Sequence, residues 1–384
     1  MNSRYSGVAI AGVGYTPFSK CFDGSVEQLA VNAIDNALTD CGLERSAIDG
    51  LLSYHINDSI EPAPLAASLG INEPTWQHSR FGGGSQGCTL LGLAAEAIEQ
   101  KQAQVIVLYR AMKGRSGKRM GQLSIADEDN IDAQFFLPYG SLGPVNTFAL
   151  SAQRWLSLNN YDAGQLAAVV IAQRNYALEN PRAMQRTALS VEDYLNAPMI
   201  SSPLRRLDCC LETDGACALV ITSSERAKQL AQPVVAIRAA LRGGDERGRF
   251  DKAPALEQLY SAELAKDFYR LAGIDASAID IAYPYDAYSF LVPVQLADFG
   301  LCDAGESIEF VAAGETGPEG SLPTNTHGGL LSEGYVHGLN SIAEAVLQLR
   351  NNQQARQVKL TRGLALCTGF GGRFGSAALL EAEG

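Results

Sequence analysis

A glycine-rich stretch at residues 325–340, NTHGGLLSEGYVHGLN, carries the side chains best suited to chemistry. Tyr335 lies inside it, with His327 before it and His337 after it. A phenol has an ordinary pKa of about 10, so it is a weak base near neutrality unless a neighbour assists it. We interpret His337 as a hydrogen-bond partner that orients or activates Tyr335. The alternative is that both histidines are incidental loop residues.

A second tyrosine, Tyr285, follows an apolar strand pattern in DIAYPYDAYSF and is succeeded by Asp286. A carboxylate in such a place either assists a phenol or only caps a loop. Glu333, in the glycine-rich stretch, presents the same two alternatives.

Two other stretches are suited to anions. Gly82, Gly83 and Gly84 precede a helical pattern and leave unobstructed backbone N–H groups for a thioester oxygen or a phosphate. A close strand-to-helix turn is the alternative explanation of this glycine run. The second stretch is a local basic cluster, which is either a solvated loop or a seat for the phosphate groups of a ligand or for an acidic partner surface. The cluster consists of Lys113, Arg115, Lys118 and Arg119.

The elements that must position these residues occur twice. Residues 25–54 and 261–285 each contain a helical pattern, a glycine stop and the phrase Ser-Ala-Ile-Asp. Gly42 and Gly273 lie 231 positions apart, and the shared phrase keeps the same register. Each glycine is expected to end its helix in the left-handed conformation. Such alternation of helices and apolar strands predicts parallel sheets covered by helices on both faces.

The duplication divides the chain into two halves, at about residues 1–230 and 233–384. Residues 111–200 have no counterpart in the second half and are rich in Gly, Asn, Pro and aromatic residues. An insertion of this kind usually shapes a binding cleft over the shared core.

Composition excludes several classes of function. The chain has 384 residues, 46% of them hydrophobic, and a formal charge of −12, which disfavours a nucleic-acid partner.

We expect a cytoplasmic protein, because neither a signal peptide nor an apolar run long enough to span a bilayer is present. The eight cysteines form no CxxC pair and are expected to be reduced. His55 and His78 lack a second ligand at metal spacing, so no metal site is expected.

The stretch at 325–340 resembles the thiolase signature Asn-x-x-Gly-Gly-x-Leu-Ser-x-Gly-His-Pro-x-Gly. Tyr335 stands where thiolases carry the histidine, and Tyr285 stands where they carry an asparagine. The resemblance covers nearly the whole chain and implies duplicated βαβαβαββ halves that form a five-layer αβαβα sandwich with an inserted loop domain. Within the superfamily, the double exchange to tyrosine resembles the thiolase-like steroid side-chain aldolases, relatives of the sterol-carrier-protein thiolases.

The resemblance also assigns roles. Aligned without gaps, the acyl-carrying cysteine of thiolases falls on Gly84, and Cys88 lies four residues further along, about one helical turn inside, as either a structural thiol or a shifted nucleophile. Cys367 matches the second thiolase cysteine and is either a core residue or the donor of a proton to an enolate. Gly369 and Gly84 are candidates for binding the thioester oxygen, and Gly329 of the signature is a further one.

The implied reaction is retro-aldol cleavage of a β-hydroxyacyl-CoA that bears a bulky, steroid-like group, giving a short acyl-CoA and a ketone or aldehyde. No covalently bound cofactor is expected, since coenzyme A enters as part of the substrate. The resemblance further implies a homodimer bound to a small OB-fold partner of the acyl-CoA-associated type, in a heterotetramer. Two alternatives remain, a cysteine-dependent thiolase or acyltransferase and a non-catalytic carrier of lipid or acyl-CoA.

Overall fold

The computed structural model describes residues 5–71, 74–117, 119, 134, 137–141, 143–244, 261–370 and 374–383. Lys118 of the predicted basic cluster and parts of the predicted insertion lie outside these residues. Within the described ranges, none of the helices has the length and apolar composition needed to cross a bilayer.

The first half alternates strands and helices. Its helix over residues 26–41 begins at Ser25, whose side chain accepts the N–H of Gln28 at 3.0 Å, and it ends at Gly42, whose φ is 74°. The elements are β1 (Val8–Tyr15), α1 (Val26–Cys41), β2 (Gly50–His55), α2 (Pro62–Leu69), β3 (Trp76–Phe81), α3 (Gly87–Glu99) and β4 (Val105–Lys113).

A mostly helical region interrupts this alternation before the half is completed. The predicted insertion therefore contains ordered elements and covers the end of β4. The region comprises α4 (Pro144–Leu158), α5 (Ala167–Leu178), α6 (Val191–Leu195), β5 (Met199–Ser201) and β6 (Leu204–Arg205), and the half ends with β7 (Asp214–Ser223) and α7 (Ser224–Ala227).

The second half repeats the first. Gly273 has a φ of 69° and is followed by a 3-10 turn and a strand, as Gly42 is, so the predicted duplication and both glycine caps are confirmed. The proposed boundary near residues 230–233 falls between α7 and the next strand. The elements are β8 (Val235–Gly244), α8 (Ser261–Ala272), β9 (Ile281–Tyr283), α9 (Leu291–Asp298), α10 (Ser307–Ala312), α11 (Gly329–Ser332), α12 (Leu339–Leu349), β10 (Leu364–Phe370) and β11 (Phe374–Ala382).

Nine of the described strands join in one mixed sheet, in the order β3-β2-β4-β7-β1-β8-β11-β10-β9, and β5 and β6 form a separate antiparallel pair. The prediction of parallel sheets holds only toward the two ends, where β2 pairs with β3 and β4, and β9 pairs with β10. At the centre it is wrong, because β7, β1, β8 and β11 pair antiparallel. β10 and β11 follow each other too closely for a crossover helix, so they pair as a hairpin.

Three apolar cores separate five layers. The strands of each half of the chain form one part of this sheet, called here a half-sheet. Helices α1 and α2 cover the outer face of the first half-sheet, with Ile34 in that core. Helices α3 and α12 lie between the half-sheets and bury Leu91 and Ile342. Helices α8 and α9 cover the outer face of the second half-sheet around Phe268. This confirms the predicted αβαβα sandwich, in which the middle helices receive the active-site loops of both halves.

Candidate active site

Two phenols meet at the centre of the molecule. The Oη atoms of Tyr285 and Tyr335 lie 2.8 Å apart, within hydrogen-bonding distance, although the residues are 50 positions apart in the chain. Both side chains are buried. Burial raises the pKa of each phenol well above its ordinary value, so both are neutral near pH 7. The structure thus brings together the two tyrosines that the sequence singled out.

Glycines make room for the Tyr285 ring. A β-carbon added at Gly84 would lie 2.0 Å from Tyr285 Cζ and 2.2 Å from its Oη, well inside van der Waals contact. On the other side, a β-carbon at Gly338 would lie 3.0 Å from the ring. The phenol therefore occupies the volume that a side chain at residue 84 would need.

The backbone of Tyr285 is held on both sides. Its N–H donates to Thr368 Oγ1 at 2.9 Å, and its carbonyl accepts from Gln295 Nε2 at 2.8 Å. Gln295 and Thr368 are themselves joined by a hydrogen bond of 2.5 Å. Sequence reasoning missed this clamp, because a glutamine on a helix and a threonine on a strand carry no signal of their own.

The loop that carries Tyr335 is anchored by buried charges. The carboxylate of Glu333 accepts from Asn180, Asn340 and Arg182, and Arg182 also pairs with Glu344 at 2.8 Å. Glu333 and Glu344 are fully buried. Removing one partner of such a pair would leave the other charge buried and unpaired, which is costly. The network therefore holds the loop in a single position. Glu333 accordingly has the contacts of a loop anchor.

His337 is held by a charge pair that the sequence analysis did not identify. Its Nδ1 lies 3.0 Å from Arg110 Nε and 2.7 Å from Arg110 Nη2, and Arg110 also pairs with Asp58 at 2.5 Å. The imidazole meets the ring of Tyr335 edge-on, with centroids 4.9 Å apart. Burial and the Arg110 charge lower the pKa of His337 to about 3. An arginine inside the apolar strand VIVLYRAM was the available signal.

Asp286 and Gly329 face the loop helix rather than the phenol pair. One carboxylate oxygen of Asp286 accepts the N–H of Leu331 at 3.4 Å, and burial raises the pKa of this carboxyl to about 7. A β-carbon at Gly329 would lie 2.1 Å from Asp286 Oδ2. These are the contacts of a loop cap, the second of the two alternatives. His327 Nε2 lies 3.2 Å from Ser341 Oγ inside the anchor network.

The thiols near the site are not poised as nucleophiles. Helix α3 begins at Gly87, so Cys88 lies in its first turn rather than a full turn inside, and its Sγ contacts the carbonyl of Cys367 at 3.5 Å. Burial raises the pKa of Cys88 to about 12, and it raises that of Cys367 well above its ordinary value. A β-carbon at Gly369 would lie 2.5 Å from the Gly84 carbonyl, which places Gly369 beside the glycine run.

A cavity of about 550 Å³ connects Tyr335 with the basic cluster. Arg115 and Arg119 line it, with side chains 39% and 41% exposed, whereas Tyr335 is 4% exposed. The cavity thus leads from solvent-facing cations to the buried phenol. The described residues that line it do not include Lys113, whose Nζ donates to the carbonyl of Gly24 at 3.1 Å. Cationic residues not singled out from the sequence also line it, namely Lys20, Arg174 and Arg206.

The duplicated five-layer fold and its glycine-rich central loops define a protein of the thiolase class. A family profile described as "Thiolase C-terminal domain-like" matches residues 249–380. The chain is 38% identical over 352 residues to the 17-hydroxy-3-oxo-4-pregnene-20-carboxyl-CoA lyase of Mycobacterium tuberculosis, covering 89% of this chain and 91% of that protein. It is 36% identical over 358 residues to the steroid side-chain-cleaving aldolase of Thermomonospora curvata, covering 89% and 90%.

Among solved structures, the Ltp2-ChsH2(DUF35) aldolase superposes with a TM-score of 0.91 and 34% identity, over 99% of each chain. The chain belongs to this family of thiolase-like aldolases, which are carbon–carbon lyases. The resemblance inferred from the glycine-rich loop and the two tyrosines is confirmed.

The Gly84–Tyr285 contact makes a prediction about packing. Gly84→Ala places a methyl group against the Tyr285 hydroxyl and must displace the phenol, so we expect the lyase kcat to fall about 100-fold. Circular dichroism should show a folded protein. The matched control is Gly7→Ala, where an added β-carbon meets nothing within 4 Å and the rate should not change. A wild-type rate in Gly84→Ala would mean that the phenol does not need its observed position.

Proposed function

We propose that the enzyme cleaves the Cα–Cβ bond of a β-hydroxyacyl-CoA by a retro-aldol reaction, using Tyr285 and Tyr335 as a neutral proton relay. The observation that carries the proposal is the 2.8 Å contact between their hydroxyls, beside Gly84, the residue that an ungapped alignment matches to the thiolase nucleophile. A retro-aldol cleavage needs no acyl enzyme, which suits a site whose described thiols are buried with raised pKa values.

In the relay, one phenol oxygen accepts the β-hydroxyl proton of the substrate while its own proton passes to the other phenol. The second phenol delivers its proton to Cα. The electrons of the substrate O–H bond form the new carbonyl, and those of the Cα–Cβ bond form the thioester enolate that takes up the proton. Both tyrosines end as they began. This balance is compatible with raised pKa values, because no phenolate has to be present beforehand.

The cavity supports a substrate with an apolar group. Tyr288 lines it and stacks on Phe148 of α4 with ring centroids 4.7 Å apart, and Phe148 in turn packs on Phe370. Ile200 and Leu207 of the inserted region add apolar lining. Since two relatives are named for steroid substrates, we propose a steroid side-chain CoA thioester as the substrate class.

We further propose that Arg115 and Arg119 bind phosphate groups of the CoA moiety. Both line the cavity that reaches Tyr335, and both are half-exposed at its solvent side. Glu212 pairs with Arg119 at 2.5 Å and orients its guanidinium toward this region. Phosphate recognition by arginine is the chemistry that such a rim provides.

The first prediction concerns the relay. Tyr285→Phe and Tyr335→Phe each interrupt it, so each should lower kcat for a β-hydroxyacyl-CoA by about tenfold or more, which is about 1.4 kcal/mol of barrier or more. The measurement is release of the shorter acyl-CoA, with thermal unfolding as the check on folding. Tyr269→Phe is the matched control, because the Tyr269 hydroxyl donates to the carbonyl of Phe299 at 2.7 Å, Tyr269 does not line the cavity, and its loss should leave the rate unchanged.

The pH profile separates a neutral relay from a phenolate base. The raised pKa values keep both phenols protonated through neutral and mildly alkaline pH, so the relay predicts a nearly constant kcat there. A rate that climbed about tenfold per pH unit would indicate a pre-formed phenolate and contradict the relay. Unchanged rates in both Phe variants would exclude the tyrosines altogether.

The second prediction concerns CoA. Arg115→Glu and Arg119→Glu each reverse a charge at the cavity rim, so the KM for the CoA thioester should rise about tenfold or more while kcat changes little. Added salt should weaken wild-type binding in the same direction. Arg45→Glu is a control with the same charge change at a site remote from the cavity, where Arg45 pairs with Asp35. An unaltered KM in both rim variants would place the phosphates elsewhere.

The third prediction concerns assembly. We propose a homodimer through the N-terminal half, associated with a small OB-fold partner, because β3 is an edge strand of the described sheet with Phe81 70% exposed and a related aldolase is an Ltp2-ChsH2(DUF35) assembly. Light scattering should report a dimer for the chain alone and a heterotetramer with the partner. Phe81→Asp should shift the mass toward a monomer, whereas Leu150→Asp, also on an exposed apolar residue, should not. A monomeric wild-type chain would contradict the dimer.

A further inference from the structure

The hydrogen bonds around His337 determine which of its nitrogens carries the proton. Arg110 offers only N–H donors and is always protonated, and two of its nitrogens lie within 3.0 Å of His337 Nδ1. Nδ1 must therefore present a lone pair, and a neutral imidazole then carries its proton on Nε2. Asp58 binds Arg110 Nη2 at 2.5 Å, the nitrogen that also lies 2.7 Å from His337 Nδ1, and so holds the guanidinium in place.

The Nε2–H that results lies against the glycine run, on a ring that also packs on Tyr335. A β-carbon at Gly83 would be 3.2 Å from Nε2, so the nitrogen lies against the glycine run that precedes α3. No described residue hydrogen-bonds to Nε2, although His337 is only 1% exposed. A fixed N–H donor that no described side chain or backbone group uses is a means of binding a substrate oxygen.

We propose that His337 donates a hydrogen bond from Nε2 to the thioester oxygen of the substrate, and that Arg110 and Asp58 are positioning residues that lock it in this neutral form. The proposal rests on the CoA-thioester substrate of the proposed function. It gives the imidazole the task of stabilising the enolate oxygen as negative charge develops there. His337 is then neither the general base nor the activator of Tyr335.

The surroundings of His337 exclude an easy change of charge. Arg110 faces its Nδ1 and is itself paired with Asp58, Tyr54 donates to its backbone carbonyl at 3.1 Å, and the Tyr335 ring packs against the imidazole. A second positive charge would lie against the Arg110 guanidinium with little solvent to screen it. The low pKa of about 3 agrees with this geometry.

Nitrogen NMR of protein labelled at its four histidines tests the proposal without turnover. His337→Gln identifies the signal of residue 337. We expect a protonated Nε2 and a bare Nδ1 from about pH 5 to about pH 8, and a shift of the Nε2–H signal on adding acetyl-CoA at about 5 mM, above the usual KM range. Free CoA, which lacks the thioester carbonyl, should leave that signal unchanged.

Variants of Arg110 test whether it fixes the tautomer of His337. Arg110→Met should allow both tautomers, raise the pKa of His337 toward its ordinary value and lower kcat about tenfold or more. Arg110→Lys should partly restore the single tautomer, the low pKa and the rate. Arg350→Met removes another buried arginine, bound to Asp40 at 2.8 Å, and should affect stability without changing the His337 signals.

Three results would each overturn the proposal: a proton on Nδ1, a titration of His337 between about pH 5 and pH 7, or an Nε2–H signal that does not shift when acetyl-CoA is added. A chain with the expected signals but no cleavage would refute the retro-aldol reaction instead.

Discussion

The close approach of Gly84 and Tyr285 is the constraint on which the rest of the site depends. Two residues from different halves of the duplicated fold compete for one volume, and a side chain on residue 84 cannot coexist with the observed phenol. A side chain at residue 84 and this tyrosine are therefore mutually exclusive, so one local packing choice decides which group occupies this part of the site. The glycine at residue 338 supports the same choice from the other face of the ring.

The surrounding structure holds this arrangement in place. Arg182, in the segment that follows α5, binds Glu333 and Glu344 of the second half, and Arg174 of α5 donates to Ser332 at 2.9 Å. The inserted region thus does more than line a cleft, because its arginines neutralise the buried carboxylates beneath the Tyr335 loop. Losing such a partner would leave a carboxylate buried and unpaired, which costs more than the pair itself contributes. The loop and the insertion consequently form one unit.

Much of this could be predicted from the sequence, for identifiable reasons. The duplication was visible because Gly42 and Gly273 must both adopt a left-handed conformation and keep the same register. The two tyrosines could be singled out because each stands where thiolases carry a different residue at a fixed position. The antiparallel centre of the sheet was not, since strand direction depends on which strands become neighbours, and local periodicity carries no information about that.

The same limit applies to the site. Asp58 lies in the loop after β2, Arg110 lies on β4, and the two meet His337 only after the sheet has formed, so no spacing in the chain relates them. Arg110 did carry one signal, since an arginine in an apolar strand must find a partner when it is buried. Asp286, by contrast, was suggestive by its position beside Tyr285, but successive residues point in different directions, and its carboxylate caps α11 instead.

The protonation states of the site agree with one another. Burial raises the pKa of Tyr285, Tyr335 and Cys367, and it lowers that of His337, so each of these groups is uncharged before the reaction. Creating a phenolate or an imidazolium in such a place would require a charge without solvent or a counterion to stabilise it. A proton that moves along a pair of neutral phenols avoids that cost. The enolate oxygen then bears the main transient charge, and fixed N–H donors stabilise it most directly.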